Sequence, residues 1–165
     1  MITLPKTPNW RFISSHPAYF LAFGFGSGLS PFAPGTAGSL AAFPLYFLLM
    51  PLLGQTMMLV ALVAAFIMGI WFCDKTGRAL GVADHGGIVW DEIVAFMLIL
   101  LFVPQTLFWF GVAFGLFRLF DIWKPFPIRY FDTRIKNGFG VMLDDLLAAA
   151  YALIVLQGLL WLWTK

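Results

Sequence analysis

The stretch VMLDDLLAAAYALIVLQGLLWLW, residues 141–163, decides the fold class of this chain. Its aspartates lie near the start, and residues 146–163 contain no charged side chain. At roughly 1.5 Å per residue, a helix of this length is roughly 35 Å long and can cross a hydrocarbon core of roughly 30 Å. The stretch therefore predicts a membrane-spanning helix.

The whole composition agrees with this interpretation. Hydrophobic residues make up 61% of the 165-residue chain and charged residues only 11%, and the mean hydropathy is +0.90. These values are typical of an integral membrane protein. The net charge of +2 is too small to indicate a nucleic-acid partner. The single cysteine, Cys73, cannot form an intrachain disulfide, and we expect it to pack in an apolar segment.

Further apolar segments are separated by glycine and proline, and a turn is expected at Gly54 and Gln55. Together with residues 141–163 they give about five spanning segments. The sequence thus predicts an all-α, polytopic integral membrane bundle, with residues 1–165 forming a single membrane-embedded domain. The other four segments cover residues 36–53, 56–73, 88–103 and 106–123.

The N-terminal apolar run AYFLAFGFG, residues 18–26, is too short to span a bilayer. We interpret it as an interfacial or re-entrant segment. Lys6 and Arg11 precede it, as basic residues precede the apolar part of a signal peptide. Pro31, Pro34 and several glycines occupy the place of a small-residue cleavage site, so we expect the segment to be retained.

The charges of the chain fall on one membrane face when the five segments are followed up and down. All ten lysines and arginines except Lys165 lie on that face, so the positive-inside rule predicts that it is cytoplasmic. No carboxylate falls on the opposite face. The eight carboxylates on the charged face are Asp74, Asp84, Asp91, Glu92, Asp121, Asp132, Asp144 and Asp145.

The stretch FRLFDIWKPFPIRYFD, residues 117–132, carries three cations of this face. Arg118, Asp121 and Lys124 recur every three residues, which places them on one side of a helix if the helix continues to Lys124. The third and fourth segments have short apolar stretches, so Glu92 and Arg118 are expected below the headgroup surface. Ionisable groups at that depth are costly and usually functional.

Two adjacent acid pairs complete the candidate site. Asp91 and Glu92 begin the third segment, and Asp144 and Asp145 begin the fifth. The alternative is that these acids only favour the helix macrodipole. Two pairs beside a buried arginine and Asp121 exceed what capping requires, so we predict a catalytic and metal-binding role for all five acids.

Two further features are more ambiguous. His85, in ADHGG, is a candidate general acid or base, or a polar loop residue. Asp74, Lys75 and Arg78 are interpreted as a solvated helix end, and His16 as an interfacial residue.

The glycine-rich stretch GFGSGLSPFAPGTAGS, residues 24–39, precedes or begins the first spanning segment. Small residues allow close backbone approach, and a helix start near Thr36 and Ser39 offers amide groups to an anion. The alternative is a tight connector between packed helices. Because Arg118 and Lys124 lie on the same face, all four residues are candidates for binding a phosphate.

Four stretches together resemble the phosphatidylglycerophosphatase A family: GFGSGLSPFAPGTAGSLAAFP, DHGGIVWDE, FRLFDIWKPFPIRYFD and GFGVMLDD. The resemblance implies a magnesium-dependent phosphatase of the bacterial inner membrane. Such an enzyme converts phosphatidylglycerophosphate to phosphatidylglycerol and inorganic phosphate in phospholipid biosynthesis. Ala95, Asn137 and Ala149 stand where glycine is expected in relatives, whereas the charged motif positions are intact.

The candidate residues are compatible with this implied reaction. Carboxylate oxygens suit Mg²⁺, which also binds substrate phosphate, and Arg118 and Lys124 can stabilise the transferring charge. Attack by water and a phospho-aspartyl intermediate both stay open, as does the oligomeric state. A lipid phosphotransferase is a chemically close alternative. A transporter or scaffold is a different class, but charges at one end of the bundle, rather than at mid-membrane, favour an enzyme.

Overall fold

A computed structural model describes residues 8–165 of the chain, and within them it contains helices and no strand. The predicted all-helical class is therefore confirmed for this part. Lys6, which the sequence assigns to the charged face, lies outside the described residues. The helices are α1 (Trp10–Ile13), α2 (Pro17–Ala22), a 3₁₀ segment (Gly24–Leu29), α3 (Pro34–Leu80), α4 (Trp90–Leu100), α5 (Leu107–Trp123), α6 (Ile128–Arg134) and α7 (Gly138–Trp163).

Helix α3 is interrupted at Gly54, whose backbone is non-helical (φ 70°, ψ 171°). We call residues 34–53 α3a and residues 55–80 α3b. In α3a, Phe43 packs against Phe96 of α4, with ring centroids 5.2 Å apart. Across the break, Gln55 donates to the carbonyl of Leu101, at the far end of α4.

The two halves of α3 run in opposite directions along α4. Gly35 of α3a lies beside Glu92, at the start of α4, and Tyr46 accepts a hydrogen bond from Gln105, beyond its end. In α3b the order is reversed, because Gln55 is at the end of α4 and Ala65 accepts from Trp90 at its start. The chain therefore turns back at Gly54, at the position that the sequence predicts.

Two of the described helices, α3 and α7, are long and apolar enough to cross a membrane. Helix α4 has 11 residues and α5 has 17, whereas a spanning helix usually needs about 20. The third segment is shorter than predicted at both ends, because α4 covers Trp90–Leu100 instead of residues 88–103. Five membrane crossings thus stay a prediction.

Other boundaries also differ from those expected. Helix α3 continues past Cys73 to Leu80 and ends at Gly81, which is left-handed (φ 78°). Helix α5 ends at Trp123, because Lys124 is itself left-handed (φ 46°). Helix α5 thus agrees with the predicted fourth segment, residues 106–123, but the condition that places Lys124 on the same side as Arg118 and Asp121, a helix that continues to Lys124, is not met. The proline-containing connection after it forms the short helix α6, which the sequence analysis did not predict.

Helix α4 lies at the centre of the bundle and packs against α3, α5 and α7. Its side chains are buried on nearly all sides, including Ile93 and Phe96. The outer surface is also apolar, with Leu52, Leu107 and Ile154 largely exposed. Apolar side chains on both the inside and the outside are expected for a bundle whose solvent is lipid, whereas a soluble monomer rarely exposes so much apolar surface.

The N-terminal segment packs against the loop before α4. The amide of Val89 donates to the carbonyl of Ala22 over 2.9 Å, and Phe23 is fully buried. Gly28 comes so close to Gly87 that a Cβ atom would overlap the carbonyl oxygen of Gly87. These contacts place the glycine-rich stretch against the end of the bundle where α4 begins.

Candidate active site

Three carboxylates from two helices meet at this end of the bundle. Asp91 and Glu92 lie in the first turn of α4, and Asp145 lies in the second turn of α7. One oxygen of each lies within 4.8 Å of the others, and all three residues are buried. We call these three residues the acid cluster.

Each member of the acid cluster has a buried oxygen without a hydrogen-bond partner in the structure: Asp91 Oδ1, Glu92 Oε2 and Asp145 Oδ2. Buried charges are expensive unless they are paired or coordinate a metal. Carboxylates grouped this closely also repel one another. Because hard oxygen ligands suit Mg²⁺, the residues present fit a divalent cation, which would satisfy these oxygens and offset the repulsion.

Arg118 of α5 lies beside the acid cluster. Its Nη1 is 3.8 Å from Glu92 Oε1 and 2.5 Å from Asp121 Oδ2, one turn further along its own helix. The predicted proximity of Arg118 and Asp121 is therefore confirmed. The guanidinium is mostly buried and connects α5 to the start of α4.

The first turn of α3 approaches this arginine through Gly35. A Cβ atom on Gly35 would overlap Glu92 Oε1 and would lie 3.0 and 3.1 Å from the two terminal nitrogens of Arg118. Thr36, the next residue, is half-buried. Ser39 is fully buried, and its hydroxyl donates to the carbonyl of Gly35 over 2.9 Å. The start of α3 is thus brought against the acid cluster, while the roles of Thr36 and Ser39 in phosphate binding stay predictions.

Asp144 faces a different partner from that of its neighbour Asp145. Its carboxylate pairs with Lys124, which also lies 3.4 Å from Asp132. Burial disfavours the charge on Lys124, but the hydrogen bond and attraction of Asp144, together with Asp132, outweigh burial and raise the pKa of Lys124. The side chain is therefore an ammonium that holds α6 and α7 together at the edge of the site.

His85 lies in the loop before α4. Its Nδ1 accepts a hydrogen bond of 3.0 Å from the amide of Gly87. Partial burial lowers the pKa of His85, against the opposing charge of Asp84, so the imidazole is neutral near pH 7. Among the described residues, no hydrogen bond or ion pair joins His85 to the acid cluster. Its catalytic role stays a prediction.

The interpretation of Asp74, Lys75 and Arg78 as a solvated helix end holds for Arg78. Its side chain is 80% exposed and pairs with Asp74 over 2.8 Å. Lys75 instead contacts His16, with 2.8 Å between Nζ and Nε2, and this pair attaches the N-terminal helices to α3b.

Sequence reasoning missed two residues of the site, Gly35 and Asp132. Gly35 follows Pro34 at a helix start, and a glycine there allows close backbone approach. The sequence argument about small residues covered the whole stretch and did not single out this position. Asp132 lies four residues before Lys136, with which it pairs over 3.4 Å. The pairing of Asp132 with Lys124 depends on the turn between α5 and α6, and local sequence spacing does not predict it.

Comparisons with known proteins point to one family. The family model described as Phosphatidylglycerophosphatase A matches residues 20–160. A Haemophilus influenzae protein named phosphatidylglycerophosphatase A is 52% identical over 85% of this chain and 86% of its own length. An Escherichia coli K12 protein of the same name is 45% identical over 84% of this chain and 80% of its own length.

A third relative carries a different name. The Bacteroides thetaiotaomicron protein, provisionally named a phosphatidylinositol-3-phosphatase, is 44% identical over 84% of this chain and 90% of its own length. No solved structure matches the chain. The family model and the first two relatives confirm the predicted family and the predicted enzyme class, a phosphoric monoester hydrolase. The matched residues extend from the N-terminal helices to α7 and so include every acid of the site. This chain therefore belongs to the phosphatidylglycerophosphatase A family.

Proposed function

We propose that this protein hydrolyses the terminal phosphate of phosphatidylglycerophosphate and releases phosphatidylglycerol and inorganic phosphate. The observation that carries this proposal is the acid cluster, with its three unpartnered oxygens beside Arg118. The names of the Haemophilus influenzae and Escherichia coli relatives supply the substrate class. The closeness of these buried carboxylates to Arg118 supports a site at which a cation and a phosphate would bind together.

Asp91, Glu92 and Asp145 are the residues that would hold Mg²⁺. When bound, the cation would neutralise phosphate charge and polarise the bond to the leaving oxygen. Asp121 and Asp144 are already paired with Arg118 and Lys124, so we assign them to the orientation of these cations. Arg118 is placed to attract a phosphate oxygen, and Lys124 supplies a second positive charge at the edge of the site.

We further propose that the protein crosses the bacterial inner membrane five times, with the acid cluster on the cytoplasmic side. The length and apolar composition of α3 and α7 support membrane embedding, and the distribution of lysine and arginine supports the orientation. In this arrangement a lipid keeps its acyl chains in the bilayer while its terminal phosphate reaches the acid cluster.

Cysteine accessibility tests the proposed orientation. In a Cys73→Ser background, a thiol introduced at Lys136 should react with a membrane-impermeant reagent only from the cytoplasmic side, and one at Lys165 only from outside. Cys73 is fully buried, so the background replaces an inaccessible thiol. The reverse labelling pattern would contradict the orientation.

The substrate can be tested with purified protein in matched detergent assays. Phosphate release from phosphatidylglycerophosphate should require Mg²⁺ and should be at least about tenfold more efficient than release from glycerol phosphate, because a lipid tail anchors the substrate beside the site. Phosphatidylglycerol, a diester, should release none.

Phosphatidylinositol 3-phosphate serves as the competing substrate in this assay, because one relative is named a phosphatidylinositol-3-phosphatase. A higher kcat/KM for phosphatidylinositol 3-phosphate would overturn the proposed substrate, although not the family. Equal rates on phosphatidylglycerophosphate and glycerol phosphate would argue against a lipid-anchored site.

A further inference from the structure

Two apolar grooves border α3 on the outside of the described part of the bundle. The first lies between α3b, α4 and α7, has a volume of about 210 Å³, and is lined by residues that include Leu59, Val63, Ala95 and Leu98. The second lies between α3a and α5, has a volume of about 500 Å³, and includes Gly111. Both are apolar, so size and hydrophobicity alone do not indicate which of them binds a ligand.

The two grooves differ in their relation to the acid cluster. Asp91 lines the first groove, whereas the lining of the second contains no ionisable side chain among the described residues. Asp91 is only 7% exposed, and its Oδ1 has no hydrogen-bond partner. Because Asp91 belongs both to the lining of the first groove and to the acid cluster, the apolar groove borders the polar site.

The first groove extends from the acid cluster toward the middle of the bundle. Asp91 and Leu98 both line it, and seven residues of helix place them roughly 10 Å apart along α4. On its open side, Leu59 is 40% exposed and Val63 is 54% exposed. The groove can therefore be entered sideways, from the layer in which acyl chains lie.

We propose that this first groove binds one acyl chain of the lipid substrate, aligned along α4 with the phosphate end at the acid cluster. This inference rests on the proposed function. A volume of about 210 Å³ is below the roughly 300–1,000 Å³ of pockets that enclose a drug-sized ligand, so the groove would take part of one acyl chain and leave the rest in the bilayer. In a substrate held in this way, the acyl chain lies on one side of Asp91 and the terminal phosphate lies on the other.

Photo-crosslinking tests occupancy without turnover. The probe is phosphatidylglycerophosphate with a diazirine in the middle of one acyl chain, added to the full-length protein in detergent without magnesium. Labelling should be several-fold higher on peptides from α3b and α4 than on the α5 peptide that contains Gly111. Unlabelled phosphatidylglycerophosphate should compete, and phosphatidylcholine should not. Equal labelling of both grooves, or equal competition by the two lipids, would show general lipid contact and overturn the inference.

Substitutions that fill the groove test its role in specificity. Ala95→Leu adds bulk inside the first groove, and Val63→Trp adds it at the open side, where folding is less at risk. Each should lower the ratio of kcat/KM for long-chain over short-chain phosphatidylglycerophosphate by about tenfold, or about 1.4 kcal/mol. Gly111→Leu is the matched control, because a Cβ atom there meets nothing within 4 Å, and it should leave the ratio unchanged.

The outcomes separate the groove from the proposed function. If the wild-type protein hydrolyses the lipid but Val63→Trp has the same chain-length ratio as Gly111→Leu, the groove inference fails and the proposed function stands. If the wild-type protein releases no phosphate from either chain length, the proposed function fails and the inference fails with it.

Discussion

Glu92→Gln and Asp145→Asn should each lower turnover at least about a hundredfold while leaving the protein folded. Each substitution keeps the shape of the side chain but removes a negative oxygen ligand from the acid cluster. Asp91→Asn is expected to behave in the same way. Asp144→Asn should have a smaller effect, because Asp144 is paired with Lys124 and has no place in the cluster.

Thermal unfolding distinguishes this expectation from a folding defect. Without magnesium, removal of one charge relieves repulsion among the three buried carboxylates, so Asp91→Asn and Asp145→Asn, which break no ion pair, should be at least as stable as the wild-type protein. Magnesium at about one hundred times its Kd should stabilise the wild-type protein by about 2.7 kcal/mol. The cluster variants should lose most of this gain.

Asp74→Asn is the matched control for the amide series. Asp74 lies at the same end of the bundle but pairs with the exposed Arg78. Its replacement should preserve turnover and the stabilisation by magnesium, and the lost surface pair contributes about 1 kcal/mol or less. Near-normal turnover and magnesium dependence in well-folded Asp91→Asn, Glu92→Gln and Asp145→Asn proteins would exclude a metal site at the acid cluster.

Arg118→Met should impair both stability and turnover. Arg118 is the observed cationic partner of Glu92 and Asp121, so its removal leaves two mostly buried carboxylates unpaired. Breaking a buried ion pair in this way costs about 3–5 kcal/mol. Loss of a cation that stabilises phosphate charge should lower kcat by roughly a hundredfold or more.

Two further variants identify the cause of the Arg118 effect. Arg118→Lys keeps the positive charge but loses the planar guanidinium and its fixed donor geometry, so it should recover more stability than turnover. Arg78→Met removes an exposed arginine of the same bundle end and should change the unfolding free energy by about 1 kcal/mol or less. Normal kcat in a folded Arg118→Met protein would contradict its proposed contact with phosphate.

Much of this arrangement can be predicted from the order of apolar and charged segments. Successive helices must reverse direction, so the start of α4 and the end of α5 come together, and Glu92 meets Arg118. The turn at Gly54 follows from the same logic, because glycine tolerates the positive φ that the reversal requires. These features depend on long-range patterning, which the sequence displays directly.

The grouping of individual acids could not be predicted in this way. Asp144 and Asp145 are adjacent, but successive residues project about 100° apart around a helix. Asp144 therefore reaches Lys124, while Asp145 belongs to the acid cluster. Which acid takes which position depends on the rotation of α7 about its axis. That rotation is set by packing against α4 and α5, which no local spacing reveals.

The short helices were also beyond the sequence argument. Lys124 is left-handed although it is not glycine, and this conformation ends α5 and directs the chain into α6. Helices α4 and α5 are shorter than a typical span because charged groups occupy the end of each helix that lies at the acid cluster. Spanning helices are recognised from the length of an apolar stretch. The charged residues of the site shorten that stretch, so the ends of these two helices are hard to predict.

The reversal at Gly54 has a consequence for how such a protein enters a membrane. In the proposed topology, residues 54–55 and 101–106 are the connections that must pass through the bilayer during biogenesis, and neither contains a charged side chain. Carrying an aspartate, lysine or arginine to the centre of the membrane costs about 2.5–3.5 kcal/mol on insertion scales. Each helical hairpin can therefore insert as a unit, with every charged residue between Arg11 and Asp145 left on the side of synthesis.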